Sequence, residues 1–102
     1  MTHDAEKYEY QELIVGIAHR RSGPVSFRRT LSANGHQLDV GVKGNAMALL
    51  NEQGVLGWRV VRESDIVHQQ HPWVVAELQD TDADVVSVSG SRKYLMARRL
   101  PD

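Results

Sequence analysis

Two histidines that lie close together in this chain could both bind one metal ion if they were on a helix. His68 and His71 are three residues apart, so on a helix both imidazoles would face one side, and Asp65 could supply a third ligand. Pro72 limits the length of any helix there, and no second pair of ligands accompanies the histidines. The pattern is therefore more typical of solvent-exposed loop histidines, and we expect no metal site.

Three alternating aspartates, Asp80, Asp82 and Asp84, resemble the start of a calcium-binding loop. The glycine and glutamate that complete such a loop are absent at the required offsets. The sequence also has no cysteine and no nucleophile-elbow, phosphate-loop or dinucleotide-binding motif. We therefore expect no catalytic residue and no cofactor, and we predict that the protein is not an enzyme.

Four doublets of basic residues hold eight of the twelve lysines and arginines: Arg20-Arg21, Arg28-Arg29, Arg92-Lys93 and Arg98-Arg99. Guanidinium groups that converge would bind a phosphate-bearing ligand. Neighbouring side chains on a strand point to opposite faces, however, and basic residues also protect sheet edges from aggregation. The candidate ligand- or partner-binding residues are Arg28, Arg29, His68, His71, Trp73, Arg92 and Arg98.

The elements that must position these residues are expected to form a single domain covering residues 1–102. The chain has 41% apolar and 25% charged residues, which is an ordinary globular composition. Its net charge of -1 gives no overall attraction for nucleic acid, so any such site must be a local patch. Residues 1–6 predict a flexible N-terminus without a signal peptide, and no apolar run is long enough for a membrane helix. Because cysteine is absent, we expect a cytoplasmic location in a bacterium or a phage-infected cell.

A β-hairpin is predicted over residues 25–42, because the dipeptide Asn34-Gly35 suits a two-residue type I′ turn between alternating segments. The cross-strand pairs expected from this turn are Leu31 with Leu38, Arg29 with Val40, and Phe27 with Val42. Arg29 then lies on the apolar face of the hairpin. We expect its side chain to snorkel to the sheet edge, and the alternative is a contact with a ligand or partner.

The rest of the chain is predicted to contain one short helix and further strands. Asn45 is a suitable N-cap for a helix ending at Gln53, with Gly54 in the left-handed position beyond it. An acidic loop, with a short strand inside it, is predicted over residues 79–92. The longer strands are predicted over residues 8–18, with a bulge near Gln11 or Glu12, and over 57–63, 73–78 and 93–100. These elements predict an α+β fold, with a mainly antiparallel β-sheet of five or six strands and one principal α-helix on one face.

Three motifs of this chain resemble those of a small bacterial and phage family of unknown function. They are a Tyr-Glu-Tyr first strand, a Leu-Asn-x-x-Gly-x-x-Gly-Trp passage from helix to strand, and a Tyr-Leu-x-x-Arg last strand. The matching residues are Tyr8, Glu9, Tyr10, Leu50, Asn51, Gly54, Gly57, Trp58, Tyr94, Leu95 and Arg98. The resemblance implies a β-α-β-β unit into which the hairpin and the segment from Asp65 to Ser91 are inserted, and it assigns no activity.

A sheet of this width cannot be covered by one helix, which leaves apolar surface for a partner. We therefore predict a non-catalytic accessory protein that forms a homo-oligomer and binds another protein. The expected contact surface is the hairpin together with the segment from His68 to Trp73. The alternative is a domain that binds a nucleotide or nucleic acid through surface arginines.

Overall fold

The computed structural model describes residues 7–43, 45–65 and 73–100, so the predicted flexible segment 1–6 lies outside the described residues. Five strands and two helices follow one another along the chain. They are β1 (Tyr8–Arg20), β2 (Gly23–Ser32), β3 (Gly35–Val40), α1 (Ala46–Val55), β4 (Arg59–Asp65), α2 (Trp73–Thr81) and β5 (Val85–Arg99). None of the described helices is both long enough and apolar enough to span a bilayer.

The strands form one sheet in the order β3-β2-β1-β5-β4, and each neighbouring pair is antiparallel. This sheet and its helices agree with the predicted α+β class. The two longest strands, β1 and β5, pair at the centre, so most side chains near the middle of the sheet are flanked on both sides. Successive residues of β1 point to opposite faces, and each face has its own hydrophobic core.

The two cores are built on opposite faces by the two helices. On one face, Leu49 of α1 packs with Trp58, which precedes β4, and with side chains of β1 and β5, namely Leu13, Val15, Tyr94 and Met96. On the other face, Val74 and Leu78 of α2 pack with Ile14, Ala18, Phe27 and Val85. Since each helix is only about three turns long, each covers part of its face and leaves the remainder of the sheet exposed.

The prediction of a strand over residues 73–78 is wrong, because this segment begins the helix α2. Its two buried residues, Val74 and Leu78, are four positions apart, which is the spacing of one helical face. The paired valines Val74 and Val75 favour a strand locally, but packing against the sheet decides the conformation. The fold therefore has two helices rather than the one principal helix that was expected.

The predicted acidic loop over residues 79–92 is mostly regular structure, since α2 continues to Thr81 and β5 begins at Val85. The short connection is a turn held by side chains of the β1–β2 hairpin. The hydroxyl and backbone N–H of Ser22 both donate to Oδ2 of Asp84, at 2.7 and 3.1 Å, and these bonds lower the pKa of Asp84. Oδ1 of Asp82 accepts from the backbone N–H of Asp84 at 3.0 Å, so these two aspartates stabilise the turn.

The hairpin between β2 and β3 covers residues 23–40, two residues before the predicted range of 25–42, and it has a different register. The observed pairs are Phe27 with Val40, Arg29 with Leu38, and Leu31 with His36, two residues away from the expected pairing. The predicted turn would require a positive φ at Asn34, whereas among the described residues only glycines have a positive φ. Ala33 and Asn34 form the turn, and Gly35 follows it with a φ of 107°. A shift of two residues preserves the faces, so Arg29 lies on the apolar face as predicted.

The bulge expected near Gln11 or Glu12 is also displaced, because β1 pairs with β5 without interruption from Tyr8 to Val15. The register shifts instead between Val15 and Ile17, opposite a β5 segment that contains Gly90 with a φ of 62°. Gly16 lies at this irregularity under the ring of Phe27, and a Cβ there would come within 2.8 Å of that ring. The absence of a side chain at this position is therefore required by the core.

The helix α1 starts as predicted and ends later than predicted. The side chain of Asn45 accepts a hydrogen bond from the backbone N–H of Ala48 at 3.0 Å, which confirms it as the N-cap. Gly54 lies within the helix, and the left-handed position belongs to Gly57, whose φ is 92°. The helix therefore continues through Gly54 and closes at Gly57.

Candidate nucleic-acid interface

The arginines singled out in the sequence are engaged with carboxylates, beginning with Arg28. Its guanidinium lies 3.0 Å from Oδ2 of Asp39 and 3.1 Å from Oε1 of Glu52. Burial opposes the charged form, but the hydrogen bonds to these two carboxylates keep the pKa of Arg28 above its ordinary value. This cation therefore joins the hairpin to α1 and is electrically compensated.

Arg29 is 9% exposed and forms a two-point pair with Glu77 of α2 rather than snorkelling to the edge. The Nε and Nη2 atoms of Arg29 lie 2.5 and 3.3 Å from the two carboxylate oxygens of Glu77. Its guanidinium carbon also lies 4.8 Å from the centre of the Trp73 ring. Arg29 therefore contacts Trp73, and its contacts with Trp73 and Glu77 hold α2 on the sheet.

Arg92 and Arg98 are paired on the side of the sheet that α1 covers. Arg92 bonds to Glu63 of the neighbouring strand. Arg98 donates from Nε to Oε1 of Glu9 at 2.5 Å, and its guanidinium carbon stacks 4.4 Å from the centre of the Trp58 ring. Arg29 therefore lies on the opposite face from the other three arginines, and of those three Arg28 and Arg98 line one cavity, each paired with a carboxylate.

The predicted histidines His68 and His71 lie outside the described residues, as does the side chain of Asp65. Within the described ranges, no three His, Asp or Glu side chains lie close enough to hold a metal ion.

A different set of cations shares one surface, the part of the sheet that α2 leaves uncovered. We call it the open face and define it by register positions on the three adjacent strands β1, β5 and β4. The residues of the open face are Tyr8, Tyr10, Glu12, Lys93, Leu95, Ala97, Arg99, Arg59, Arg62 and Ser64. They share a face because directly paired residues point to the same side of a sheet. Tyr10 of β1, for example, pairs with Ala97 of β5, which pairs with Arg59 of β4.

A β-bulge in β4 brings two of these arginines to the same side. Arg59 pairs with Ala97 and Arg62 pairs with Leu95, with the extra residue Val61 between the two registers. In an uninterrupted strand, residues three positions apart point to opposite faces. The bulge therefore redirects Arg62 onto the open face, as bulges near functional sites commonly do.

Three cations of the open face differ from the predicted arginines, because they form no ion pair within the described part of the chain. They are Arg59, Arg62 and Lys93. Glu12 is the carboxylate nearest to them in register, and its Oε1 lies 4.0 Å from Nη1 of Arg29. Together with Arg99, these side chains give the open face a net positive charge although the whole chain carries -1.

The open face also presents aromatic and apolar surface between its cations. Tyr10 is 55% exposed, and Leu95 on the next strand is also exposed. Two shallow hollows of about 260 and 220 Å³ lie on this face, the first lined in part by Arg62 and Lys93 and the second by Arg59 and Arg99. Phosphate groups and flat rings could therefore be held side by side on this surface.

Some of these residues carried a sequence signal and others did not. Lys93 and Arg99 are the second members of two basic doublets, and strand alternation places them on the face opposite Arg92 and Arg98. Alternation along β1 likewise places Tyr10 on this face, opposite Ala97 of β5. Arg59 and Arg62 could not be assigned to one face, because the bulge that aligns them follows from the pairing of β4 with β5.

No protein-family model matches this chain, no curated protein is similar to it in sequence, and no solved structure is similar to it. The resemblance to a bacterial and phage family therefore stays a prediction, and the function must be inferred from the open face itself.

Proposed function

We propose that the protein binds single-stranded nucleic acid across the open face of its sheet. The observation that supports this most directly is a group of three cations, Arg59, Arg62 and Lys93, which form no ion pair among the described residues and share a face with the exposed Tyr10. Positive groups bind the phosphate backbone, and an exposed ring offers a base a surface on which to stack. The cytoplasmic location proposed from the sequence agrees with such a ligand.

The shape of the open face favours a single strand over a duplex. Reading the major groove of DNA requires a projecting helix or two-stranded ribbon, whereas this surface is part of a sheet. From Lys93 to Arg99 the face extends for roughly 20 Å along β5, at about 3.3 Å per residue. Splayed bases can lie along such a surface, with their phosphates near the cations at both ends.

Neutralising two cations of the open face is expected to weaken binding and to reduce its dependence on salt. The variant is Arg59→Gln with Arg62→Gln, and the ligand is a fluorescent oligothymidylate of about 12 nucleotides, within the usual site size. Loss of two phosphate contacts should lower the slope of log K against log salt by about 1.4 and the affinity several-fold at low salt. Fluorescence anisotropy titrations at several salt concentrations measure both quantities.

Two further variants make this test specific. Arg21→Gln with Lys43→Gln removes two exposed cations away from the open face, and we expect the affinity and the slope to stay unchanged. Tyr10→Ala should weaken binding without altering the slope, because stacking releases no counterions. Equal losses in both double variants would indicate attraction by overall charge, and wild-type binding by the Arg59 and Arg62 variant would refute the proposal.

Self-association is a second candidate function, favoured by exposed apolar side chains at the β4 edge. Val60 and Val61 are exposed on this strand, and Val55 and Leu56 are exposed at the nearby end of α1. Such a cluster is typical of an interface. Because the bulge interrupts regular pairing, association would depend on these side chains rather than on a continuous sheet. The sequence predicts binding of a different protein through the hairpin and the segment from His68 to Trp73, and the exposed cluster at the β4 edge is a second surface for such a partner.

We expect light scattering to show a mass above that of the monomer that rises with concentration. Val61→Lys should return the protein to a monomer, because it places a charge within the apolar cluster. The matched control is Val86→Lys, since Val86 is similarly exposed but lies on β5. A monomer at every concentration of the wild-type protein would exclude this candidate.

A further inference from the structure

A cavity of about 600 Å³ lies on the opposite side of the sheet, between α1 and the β2–β3 hairpin. Small-molecule sites in proteins have volumes of roughly 300–1,000 Å³. The cavity shares its face with the α1 core, because Gln11, one of its lining residues, pairs in register with Met96. Tyr8 and Tyr10 of the open face reach the rim of this cavity, whereas the cations Arg59, Arg62 and Lys93 do not line it.

Two buried glutamines line this cavity, and within the described residues each uses only one of the two polar atoms of its side-chain amide. Gln11 and Gln53 are each 8% exposed, and Nε2 of Gln11 donates to Oε1 of Gln53 at 2.9 Å. The same Nε2 lies 3.7 Å from the sulfur of Met96. Within the described residues, Oε1 of Gln11 and Nε2 of Gln53 have no hydrogen-bond partner. Buried amide groups are rarely left without a hydrogen-bond partner. A molecule in the cavity can supply a donor for Oε1 of Gln11 and an acceptor for Nε2 of Gln53.

The charged residues around the cavity cancel one another. Arg28 is paired with Glu52 at 3.1 Å, and Arg98 is paired with Glu9. An anionic or cationic ligand would have to compete with these internal partners, whereas a neutral ligand would not. The free hydrogen-bonding groups of the two glutamines therefore decide what the cavity recognises.

We infer that the cavity binds a small neutral molecule with an amide edge, meaning an N–H donor beside a C=O acceptor. A pyrimidine base and a peptide amide both have this chemistry. The ligand N–H donates to Oε1 of Gln11, and Nε2 of Gln53 donates to the ligand carbonyl. The two glutamines lie outside the open face, so this site does not depend on nucleic-acid binding.

The test follows the side-chain amide signals of Gln11 and Gln53 by ¹H–¹⁵N NMR during titration. The probes are uracil, N-acetylglycinamide and, as an anionic comparison, inorganic phosphate. We expect at least one of the first two to shift both signals saturably and phosphate to leave them in place. Uracil alone would identify a base as the natural ligand class, and N-acetylglycinamide alone would identify a peptide. No saturable shift by either amide up to about 10 mM, ten times a weak Kd of about 1 mM, would overturn the inference and leave water as the occupant.

A substitution at Gln53 ties any binding to the cavity. Gln53→Leu removes the free donor and is expected to weaken probe binding at least about ten-fold. If this variant fails to fold, Gln53→Glu keeps the acceptor for Gln11 and removes the same donor, so an equal loss is expected. Gln79→Leu is the control, since Gln79 bonds to the backbone carbonyl of Val85 away from the cavity. A folded Gln53 variant that binds the probe like the wild type would refute the assignment.

Discussion

Replacement of Arg29 by alanine is expected to lower the free energy of unfolding by about 2–3 kcal/mol. The substitution leaves the Glu77 carboxylate without its two-point partner and removes the guanidinium from the Trp73 ring. Breaking a fully buried ion pair costs roughly 3–5 kcal/mol. The expected loss is smaller because the Glu77 side chain is 27% exposed and lies 3.7 Å from Nε2 of His36. Urea unfolding followed by circular dichroism measures the change.

Two companion variants separate the ion pair from simple loss of packing. Arg29→Lys keeps the charge but loses the planar two-point geometry, so we expect an intermediate loss of about 1–2 kcal/mol. Arg29→Leu with Glu77→Leu removes both charges, and most of the stability should return. Arg92→Ala breaks an exposed pair with Glu63 and should change stability by less than about 0.5 kcal/mol. Equal effects of Arg29→Ala and Arg92→Ala would contradict the role given to Arg29.

The sheet could be predicted because its signals are local and strong. Alternation of apolar residues identified both strands of the hairpin, and side-chain period alone placed Arg29 on the apolar face. A change of register by two residues does not alter this result, so an incorrect turn still gave correct faces. Faces are therefore more predictable from this sequence than exact pairing.

The second helix could not be predicted because its cause lies in tertiary packing. Val74 and Val75 favour a strand, and only contact with Phe27 and Ile14 across the sheet makes the helical face of α2 the better solution. Once α2 was misassigned, Glu77 could not be identified as the partner of Arg29. The prediction that Arg29 snorkels to the sheet edge was therefore wrong for the same reason as the prediction of a strand over residues 73–78.

The open face shows the same division between alternation and pairing. Strand alternation separates Lys93 and Arg99 from their neighbours in the basic doublets, and the neighbours Arg92 and Arg98 bond to carboxylates. Pairing with β5 was needed to place Arg59 and Arg62 beside them. A surface assembled from three strands cannot be inferred from doublets in one strand, because half of each doublet points away from the surface.

Two glycines of the helix-to-strand passage are expected to respond to alanine in opposite directions. Gly57 has a φ of 92°, and the N–H groups of Gly57 and Trp58 donate to the carbonyls of Gly54 and Gln53, which closes the helix as a Schellman motif. A left-handed conformation costs an L-residue about 1–2 kcal/mol. A Cβ at Gly57 would also lie 3.3 Å from Cδ of Arg98. Gly57→Ala should therefore destabilise the protein by at least about 1 kcal/mol.

Gly54 is the matched control because it lies inside α1 with helical geometry and open space around its Cα. Gly54→Ala should stabilise the protein by about 0.5–1 kcal/mol, since alanine restricts the unfolded chain and favours the helix. Urea unfolding of the two variants then gives changes of opposite sign. If Gly54→Ala destabilised the protein and Gly57→Ala did not, the helix would end at Gly54, as the local sequence suggests. The expected signs would support closure of the helix at Gly57, directly before the residue Trp58 on which the Arg98 guanidinium stacks.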